Sequence, residues 1–74
     1  MPVVLRVGPY RFFWYSADTS EPAHVHVERD EKTAKFWLQP LRLARSNGFA
    51  LQELRRIERI VRLHHDELMR KWNA

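Results

Sequence analysis

The sequence predicts an α+β fold, in which a small, mainly antiparallel sheet of three to five strands packs against one long C-terminal helix. Two observations lead to this prediction. The first half of the chain alternates short apolar or aromatic segments with turn residues, which is typical of strands joined by hairpins. The second half repeats apolar residues every three or four positions, which is typical of an amphipathic helix. At 74 residues the chain is expected to form a single domain, residues 1–74.

Five segments of the first half have the character of strands. Gly8-Pro9 is a strong turn signal between the first two, so these two segments should form a hairpin. A later segment, residues 24–28, alternates polar and apolar residues with the period of two that indicates a half-buried strand. The predicted strands are residues 3–7, 10–16, 24–28, 34–38 and 41–45.

The predicted helix runs from about residue 51 to residue 72. Its apolar stripe should pack on the sheet, because short strands cannot cover their own apolar face. Position 50 is Ala, where helices usually begin with Ser, Thr, Asp or Asn, so the helix must be capped from elsewhere, such as by Asn47, or its first turn frays. The apolar stripe consists of Leu51, Leu54, Ile57, Ile60, Val61, Leu63, Leu68 and Trp72.

Composition excludes several classes of protein. There is no cysteine, which excludes a disulfide framework and a cysteine-based zinc site. The sequence lacks the long apolar run of a membrane helix or a signal peptide, so we expect a cytoplasmic protein without membrane contact. Thirteen basic residues against nine acidic ones give a net charge of +4, and ten of the thirteen are Arg. This excess suits nucleic acid or an acidic partner, although modestly basic surfaces are also common among small soluble domains.

The most unusual chemical feature is the pair His24 and His26 on a predicted strand. Residues i and i+2 of a strand point to the same side about 7 Å apart, so both imidazoles could reach one metal ion or one phosphate. Three interpretations stay open. The pair could act as general base and general acid in nucleic-acid hydrolysis. It could bind a divalent metal with Glu28, on the same face, or Asp30 as the third ligand. It could also be structural, either ordering the loop 18–21 or contributing to a protein interface.

Arginine is expected to hold the phosphate in the catalytic interpretation, and Arg11 and Arg29 are the candidates. Arg42 and Arg45 would add basic surface near the histidines. No glycine-rich loop that could cradle a phosphate is present.

Aromatic residues are dense in the strand-forming half. Because consecutive strand residues face opposite ways, both faces of the sheet should carry rings. One set fills the core against the helix, while the other is exposed or covered. We expect the second set to form a protein interface rather than a stacking platform for RNA, because exposed rings would otherwise be sticky. The residues are Phe12, Phe13, Trp14, Tyr15, Phe36 and Trp37.

The block of residues 21–27, Glu-Pro-Ala-His-Val-His-Val, is the most specific part of a resemblance that spans nearly the whole chain. Residues 3–6, 10–13, 34–38 and 66–68 also contribute to it. The chain resembles the domain-of-unknown-function 4160 family of short bacterial and archaeal proteins. Genes of that family often lie beside a gene of the domain-of-unknown-function 2442 family. The resemblance therefore implies a protein partner encoded by a neighbouring gene, in a two-gene unit similar to toxin–antitoxin pairs.

Together these observations predict one component of such a toxin–antitoxin-like unit, and an RNA-acting toxin is one form it could take. In that form His24 and His26 are catalytic and Arg11 and Arg29 contact phosphate. The alternative is a non-enzymatic protein-interaction module, or a metal-binding regulator, whose histidines are structural. In the metal interpretation the ligands are His24, His26 and Glu28, and a divalent metal is the one cofactor considered. A homo-oligomer is a further expectation, and enzymatic activity stays open.

Overall fold

A computed structural model describes residues 3–74, apart from the side chain of Thr19. The five strands are β1 (Val3–Val7), β2 (Tyr10–Phe13), β3 (His24–Arg29), β4 (Lys32–Leu38) and β5 (Leu41–Asn47), and the two helices are α1 (Leu51–Leu63) and α2 (His65–Asn73). The strands form one antiparallel sheet in the order β1-β2-β3-β4-β5, so each strand pairs with its neighbours along the chain. The predicted α+β class is confirmed.

Tight turns connect β1 to β2 and β3 to β4, where the chain has residues that accept a left-handed backbone. Gly8, between β1 and β2, and Asp30, between β3 and β4, both have a φ of 55°. Glycine adopts this region at little cost, and aspartate tolerates it better than most other residues. These two positions allow the chain to reverse direction within a few residues, so that β1 pairs with β2 and β3 pairs with β4.

The structure differs from the sequence prediction after β2. That strand ends at Phe13, not at residue 16, and Ser16–Ser20 forms a short 3-10 helix. Aspartate and serine side chains compete for nearby backbone groups, which favours turns over continued strand. Here the amide of Tyr15 donates to Oδ2 of Asp18 over 2.9 Å. The aromatic residues that follow Phe13 therefore leave the sheet.

The helices cover one face of the sheet and form the core with it. Each of the core residues named below is 1% exposed or less. Burying a side chain of this size stabilises the fold by about 1.5–3 kcal/mol, so this face supplies most of the apolar stabilisation. These residues are Phe12, Val25, Val27, Phe36 and Leu38 from the sheet, with Ile57, Val61 and Leu68 from the helices.

The long helix predicted from the sequence is interrupted at His64, where φ is −103° and ψ is 16°. The His64 ring donates from Nδ1 to the carbonyl of Ile60 over 2.9 Å, so it competes for the oxygen that its own amide also uses. The His65 ring donates to the carbonyl of Leu38. Both histidine rings thus form hydrogen bonds with backbone carbonyl groups. No helix within residues 3–74 is long and apolar enough to cross a membrane.

The predicted apolar stripe is wrong at the two ends of α1. Leu51 is 63% exposed and Leu63 is 80% exposed. The middle of the same helix is buried at Ile57 and Val61. The stripe therefore contacts the sheet through the central turns of α1 and through Leu68 and Trp72 of α2.

One irregularity of the sheet determines which way β5 presents its side chains. Lys35 of β4 lies opposite Arg45, but the next residue, Phe36, lies opposite Leu43. Ala44 is therefore an extra residue in β5, which makes a β-bulge. Because of this extra residue, Arg42 before the bulge and Arg45 after it have side chains on the same face of the sheet, although they are three residues apart.

Candidate metal centre

The sheet face opposite the helices carries both histidines of β3. Val25 and Val27 point into the core and are fully buried. His24 and His26 alternate with them, and therefore lie on the other face. His24 is opposite Trp37 of β4, and His26 lies between Phe13 of β2 and Lys35 of β4.

Asp18 reaches the histidines because the 3-10 helix turns its side chain back over the start of β3. Its backbone amide donates to the carbonyl of Tyr15 over 2.9 Å, while its carboxylate accepts from the amide of Tyr15. The loop that follows is tied to β4 by the ion pair between Lys35 Nζ and Glu21 Oε1, 2.8 Å apart. The amide of Leu38 also donates to the carbonyl of residue 23 over 2.9 Å. These contacts hold the carboxylate in one place.

Both imidazoles converge on the same carboxylate oxygen. His24 Nε2 lies 3.1 Å from Asp18 Oδ2, and His26 Nε2 lies 3.2 Å from it. One donor atom from each of the three residues lies within 4.8 Å of the other two, and within residues 3–74 this is the one such group of His and acidic side chains. Asp18, His24 and His26 are called the triad below.

The protonation of His24 follows from its other ring nitrogen. Nδ1 lies 2.9 Å from the carbonyl oxygen of Pro22, which can only accept, so Nδ1 carries a proton. In the neutral ring Nε2 then presents a lone pair. That atom is buried and has no hydrogen-bond partner among the described residues, although Oδ2 of Asp18 is 3.1 Å away. A buried polar atom without a hydrogen bond is costly, and beside this carboxylate either a proton or a metal ion on Nε2 would remove the cost.

Aromatic rings enclose the triad on most sides. His24 is completely buried against Trp37 and Trp72, with ring centroids 5.7 Å and 5.1 Å away. Phe13 stacks on His26 with centroids 5.5 Å apart and planes inclined by 22°. The side chains of His26 and Asp18 are 16% and 17% exposed, so the triad is open to solvent from their side.

The pKa values of two triad members favour the charge states that a metal ion needs. Partial burial by itself raises the pKa of Asp18, but the amide of Tyr15 and the two imidazoles outweigh it, so the pKa lies below its ordinary value. Burial lowers the pKa of His26, and the hydrogen bond that Asp18 accepts from this ring opposes the effect only in part. At neutral pH the carboxylate is therefore ionised and the imidazole of His26 is neutral.

Comparison with known proteins shows which family the chain belongs to. Residues 10–73 match the model of a family described as a domain of unknown function, DUF4160. The chain belongs to this family. No curated protein and no solved structure matches it. The resemblance expected from the sequence is thereby confirmed, and the matched segment of this DUF4160 protein contains the whole triad.

The other residues that the sequence singled out are placed away from the triad. Glu28 shares the face of the histidines but forms an ion pair with Arg11. Arg29 points to the helix side, where it pairs with Glu53, and the hydroxyl of Tyr10 donates to the same carboxylate over 2.8 Å. In this DUF4160 protein both arginines that were expected to hold a phosphate therefore contact carboxylates.

Asp18 is the triad member that the sequence did not identify as a ligand. It lies six residues before His24 in a polar loop, and no spacing rule for a strand links it to the histidines. The polar loop was the one feature of the sequence that could have indicated Asp18, because an Asp near a reversal of the chain commonly accepts hydrogen bonds from nearby backbone amides. Asp30, the other expected carboxylate, lies in the β3–β4 turn, with Oδ2 3.8 Å from Nε of Arg29.

The rings on the second face cover each other. Phe13 is buried, and Tyr15 packs against both Phe13 and His26 with centroids 5.6 Å and 5.4 Å away. Trp14 contacts Trp72 at 5.0 Å. Several of the aromatic residues expected at a protein interface thus pack against one another in this DUF4160 chain, while Tyr15 is 47% exposed.

Proposed function

We propose that this protein binds one divalent transition-metal ion through Asp18, His24 and His26. The observation that carries the proposal is the Nε2 atom of His24. It is buried without a hydrogen-bond partner among the described residues, and it lies 3.1 Å from the same carboxylate oxygen that His26 reaches. Two imidazoles and one carboxylate are a frequent ligand set for zinc, iron and related metals.

The distances within the triad suit a shared ion. Ligand atoms lie about 2.0–2.1 Å from Zn²⁺, so two ligands at octahedral or tetrahedral angles are about 2.8–3.4 Å apart. The two nitrogen–oxygen distances in the triad are 3.1 and 3.2 Å. Small rotations of the side chains would suffice for all three donors to contact one ion.

The surroundings of His24 match those of a metal ligand. Ligating histidines commonly donate their second ring N–H to a backbone carbonyl or a carboxylate, which orients the ring and selects the tautomer. His24 does so with the carbonyl of Pro22. The amide of Tyr15 performs the equivalent role for the carboxylate of Asp18.

A metal-free catalytic pair is supported less well. A general acid or base must come within hydrogen-bond distance of the substrate, and His24 is completely buried. Protons on both rings could also satisfy these contacts, because one carboxylate oxygen accepts more than one hydrogen bond and His26 Nε2 already forms one with Oδ2 of Asp18 over 3.2 Å. A single cation at the centre would satisfy both nitrogens and the oxygen at once.

Three protein ligands leave coordination positions free for water or substrate. Bound Zn²⁺ lowers the pKa of its water to about 7 and thereby supplies hydroxide at neutral pH. This chemistry would serve an RNA-acting toxin in a two-gene unit. A metal-binding regulator would need only the binding itself. Both uses follow from the same site, so metal binding is the step to test first.

The test is isothermal titration of tag-free protein with Zn²⁺, Mn²⁺, Ni²⁺, Co²⁺ and, without oxygen, Fe²⁺. We expect one equivalent of at least one of these ions to bind. Loss of a residue that merely supports a ligand typically weakens metal binding by about 10–100-fold. Asp18→Asn and His26→Ala remove ligands, so each should weaken binding at least that much. The visible spectrum of the Co²⁺ form reports the number of ligands.

His65→Asn is the matched control, because it removes one imidazole that contacts the carbonyl of Leu38 and not the triad. Its affinity should equal that of the natural chain. Stoichiometry below about half an equivalent, or equal affinity in the three variants, would contradict the proposal. Circular dichroism of each variant shows whether the fold is intact.

A second candidate function is a protein-interaction module, and one observation favours it. Leu63 is 80% exposed and Leu51 is 63% exposed, which leaves apolar side chains at both ends of α1. The product of a neighbouring 2442-family gene is the proposed partner, and a second copy of this chain is the alternative. Co-purification of the two gene products and a mass measurement in solution test this candidate. A monomer that does not retain the neighbouring product would contradict it.

A further inference from the structure

We infer that the sheet face carrying the triad binds single-stranded nucleic acid, with Arg42 and Arg45 of β5 as its phosphate contacts. This inference deepens the proposed function by naming a substrate class, and its catalytic consequence rests on the metal site. The contact with nucleic acid depends on β5 and its neighbours alone. The two can therefore be tested separately.

The bulge at Ala44 puts both arginines on the face of the triad. Residues three apart in a regular strand point to opposite faces. Arg42, however, lies opposite Trp37, and Arg45 lies opposite Lys35, and these two residues of β4 are two apart. Because directly paired residues share a face, the two arginines lie side by side, about 7 Å apart along the strand.

Each arginine continues a cross-strand row that begins at a triad histidine. The first row contains His24, Trp37 and Arg42. The second contains His26, Lys35 and Arg45. Neighbouring strands are about 4.8 Å apart, so β5 lies about 10 Å from β3. A strand of nucleic acid held at β5 would bring an adjacent linkage close to the triad.

The two arginines have charge that no carboxylate neutralises. Of the other cations of this face, Arg11 and Lys35 form ion pairs with glutamates, and Arg6 lies on β1 at the opposite edge of the sheet. Arg42 and Arg45 are exposed and have no acidic partner within the described part of the chain. Nothing but β4 pairs with β5, which leaves its outer edge and both side chains accessible. An anion that spans two guanidinium groups would complement them.

A shallow cavity of about 200 Å³ adjoins Arg42, and its walls are Pro22, Trp37, Gln39, Pro40 and Arg42. This volume is below the range of about 300–1,000 Å³ of typical ligand pockets, and therefore suits one flat ring system rather than a larger molecule. Trp37 supplies an aromatic wall and Gln39 an amide that can donate and accept. An aromatic wall beside a guanidinium is the arrangement that single-strand binders use for a base and its phosphate. This cavity favours nucleic acid over an acidic peptide.

The test is fluorescence anisotropy with a labelled oligouridine of about ten nucleotides, a length within the site sizes of compact single-strand binders. The titration is done with a chelator present, so that the state of the metal site does not affect it. The double variant Arg42→Gln, Arg45→Gln should bind at least about tenfold more weakly at low salt. Two lost phosphate contacts should also reduce the slope of log K against log salt by about 1.4.

The matched control is Arg55→Gln, Arg59→Gln, which removes the same charge from exposed positions of α1, on the other side of the sheet. Its affinity should change by less than about twofold. Equal weakening of both double variants would overturn the inference, because the contact would then be a general charge effect. Absence of saturable binding, or stronger binding to an oligoglutamate of equal length, would also overturn it.

His26→Ala separates the two proposals. If it abolishes metal binding and leaves the chelator-treated protein bound to oligouridine, both the metal site and the nucleic-acid face are supported. If the natural chain binds oligouridine but no metal, the nucleic-acid face stands and the proposed function fails. If the natural chain binds metal but no oligouridine, the proposed metal site stands and the nucleic-acid face is overturned.

Discussion

Nε2 of His24 lies 3.1 Å from Oδ2 of Asp18, although the two residues belong to different elements and neither is aligned to hydrogen bond with the other. The Nδ1 atom of the same ring donates to the carbonyl of Pro22. In the neutral ring the lone pair of Nε2 therefore faces the carboxylate of Asp18, and the two repel each other unless a proton or a metal ion lies between them. This short distance is the basis of the metal site proposed above.

Metal binding should stabilise the fold. A ligand that binds only the native state at 100 times its dissociation constant contributes about 2.7 kcal/mol. For a domain of this size that corresponds to a rise of about 10–20 °C in the melting temperature. Differential scanning calorimetry with and without the bound ion measures it. Asp18→Asn should lose most of the rise, and an equal rise in that variant would show that the ion binds elsewhere.

The two leucines on either side of the helix interruption should differ sharply in their contribution to stability. Leu68 is fully buried, so Leu68→Ala should lower the free energy of unfolding by about 2–5 kcal/mol. Leu63 is 80% exposed, so Leu63→Ala should change it by about 0.5 kcal/mol or less. Urea titrations measure both. Similar losses in the two variants would mean that Leu63 is covered in solution, as the interaction-module candidate requires.

Stability should depend on pH through Glu53. The hydroxyl of Tyr10 and the guanidinium of Arg29 hold the pKa of Glu53 below its ordinary value, against an opposing effect of burial. A lowered native pKa stabilises the fold above the unfolded value of about 4.5, and this stabilisation is lost as the pH falls through the native pKa. Glu53→Gln should therefore be less stable than the natural chain at pH 7, and the difference should shrink below about pH 4.

Urea midpoints between pH 7 and pH 3 measure this dependence. Glu31→Gln is the control, because it removes a carboxylate of the same charge from an exposed position in the β3–β4 turn. The Glu31 variant should keep the pH profile of the natural chain. Parallel profiles for the natural chain and Glu53→Gln would contradict the assignment.

A serine at position 50 should stabilise α1. Ala50 has the extended backbone of an N-cap residue, with φ −72° and ψ 158°, but no side chain that can accept from the first turn. Replacing Ala with a capping residue typically adds about 1 kcal/mol. Thermal unfolding should show the gain in Ala50→Ser. Ala44→Ser, an exposed change in β5, should have no comparable effect, and an equal gain there would point to a general effect of serine.

The sequence by itself determined those features that depend on local pattern. Period-two alternation in residues 24–28 was enough to put both histidines on one face, because side chains alternate in every strand. Turn chemistry at Gly8-Pro9 and the helical stripe were enough for the α+β class. The interruption at His64 was not predictable, since it depends on a hydrogen bond to Ile60 and on the contact of His65 with Leu38, which is distant in sequence.

Only the tertiary structure decided which groups meet. Asp18 joins the histidines because a 3-10 helix turns the chain back over β3, whereas Glu28, which has the right spacing, is held by Arg11. Arg42 and Arg45 share a face because Ala44 bulges out of β5. Periodicity cannot reveal a single extra residue or the return of a loop, because each is settled by pairing and packing between segments that are not neighbours in sequence.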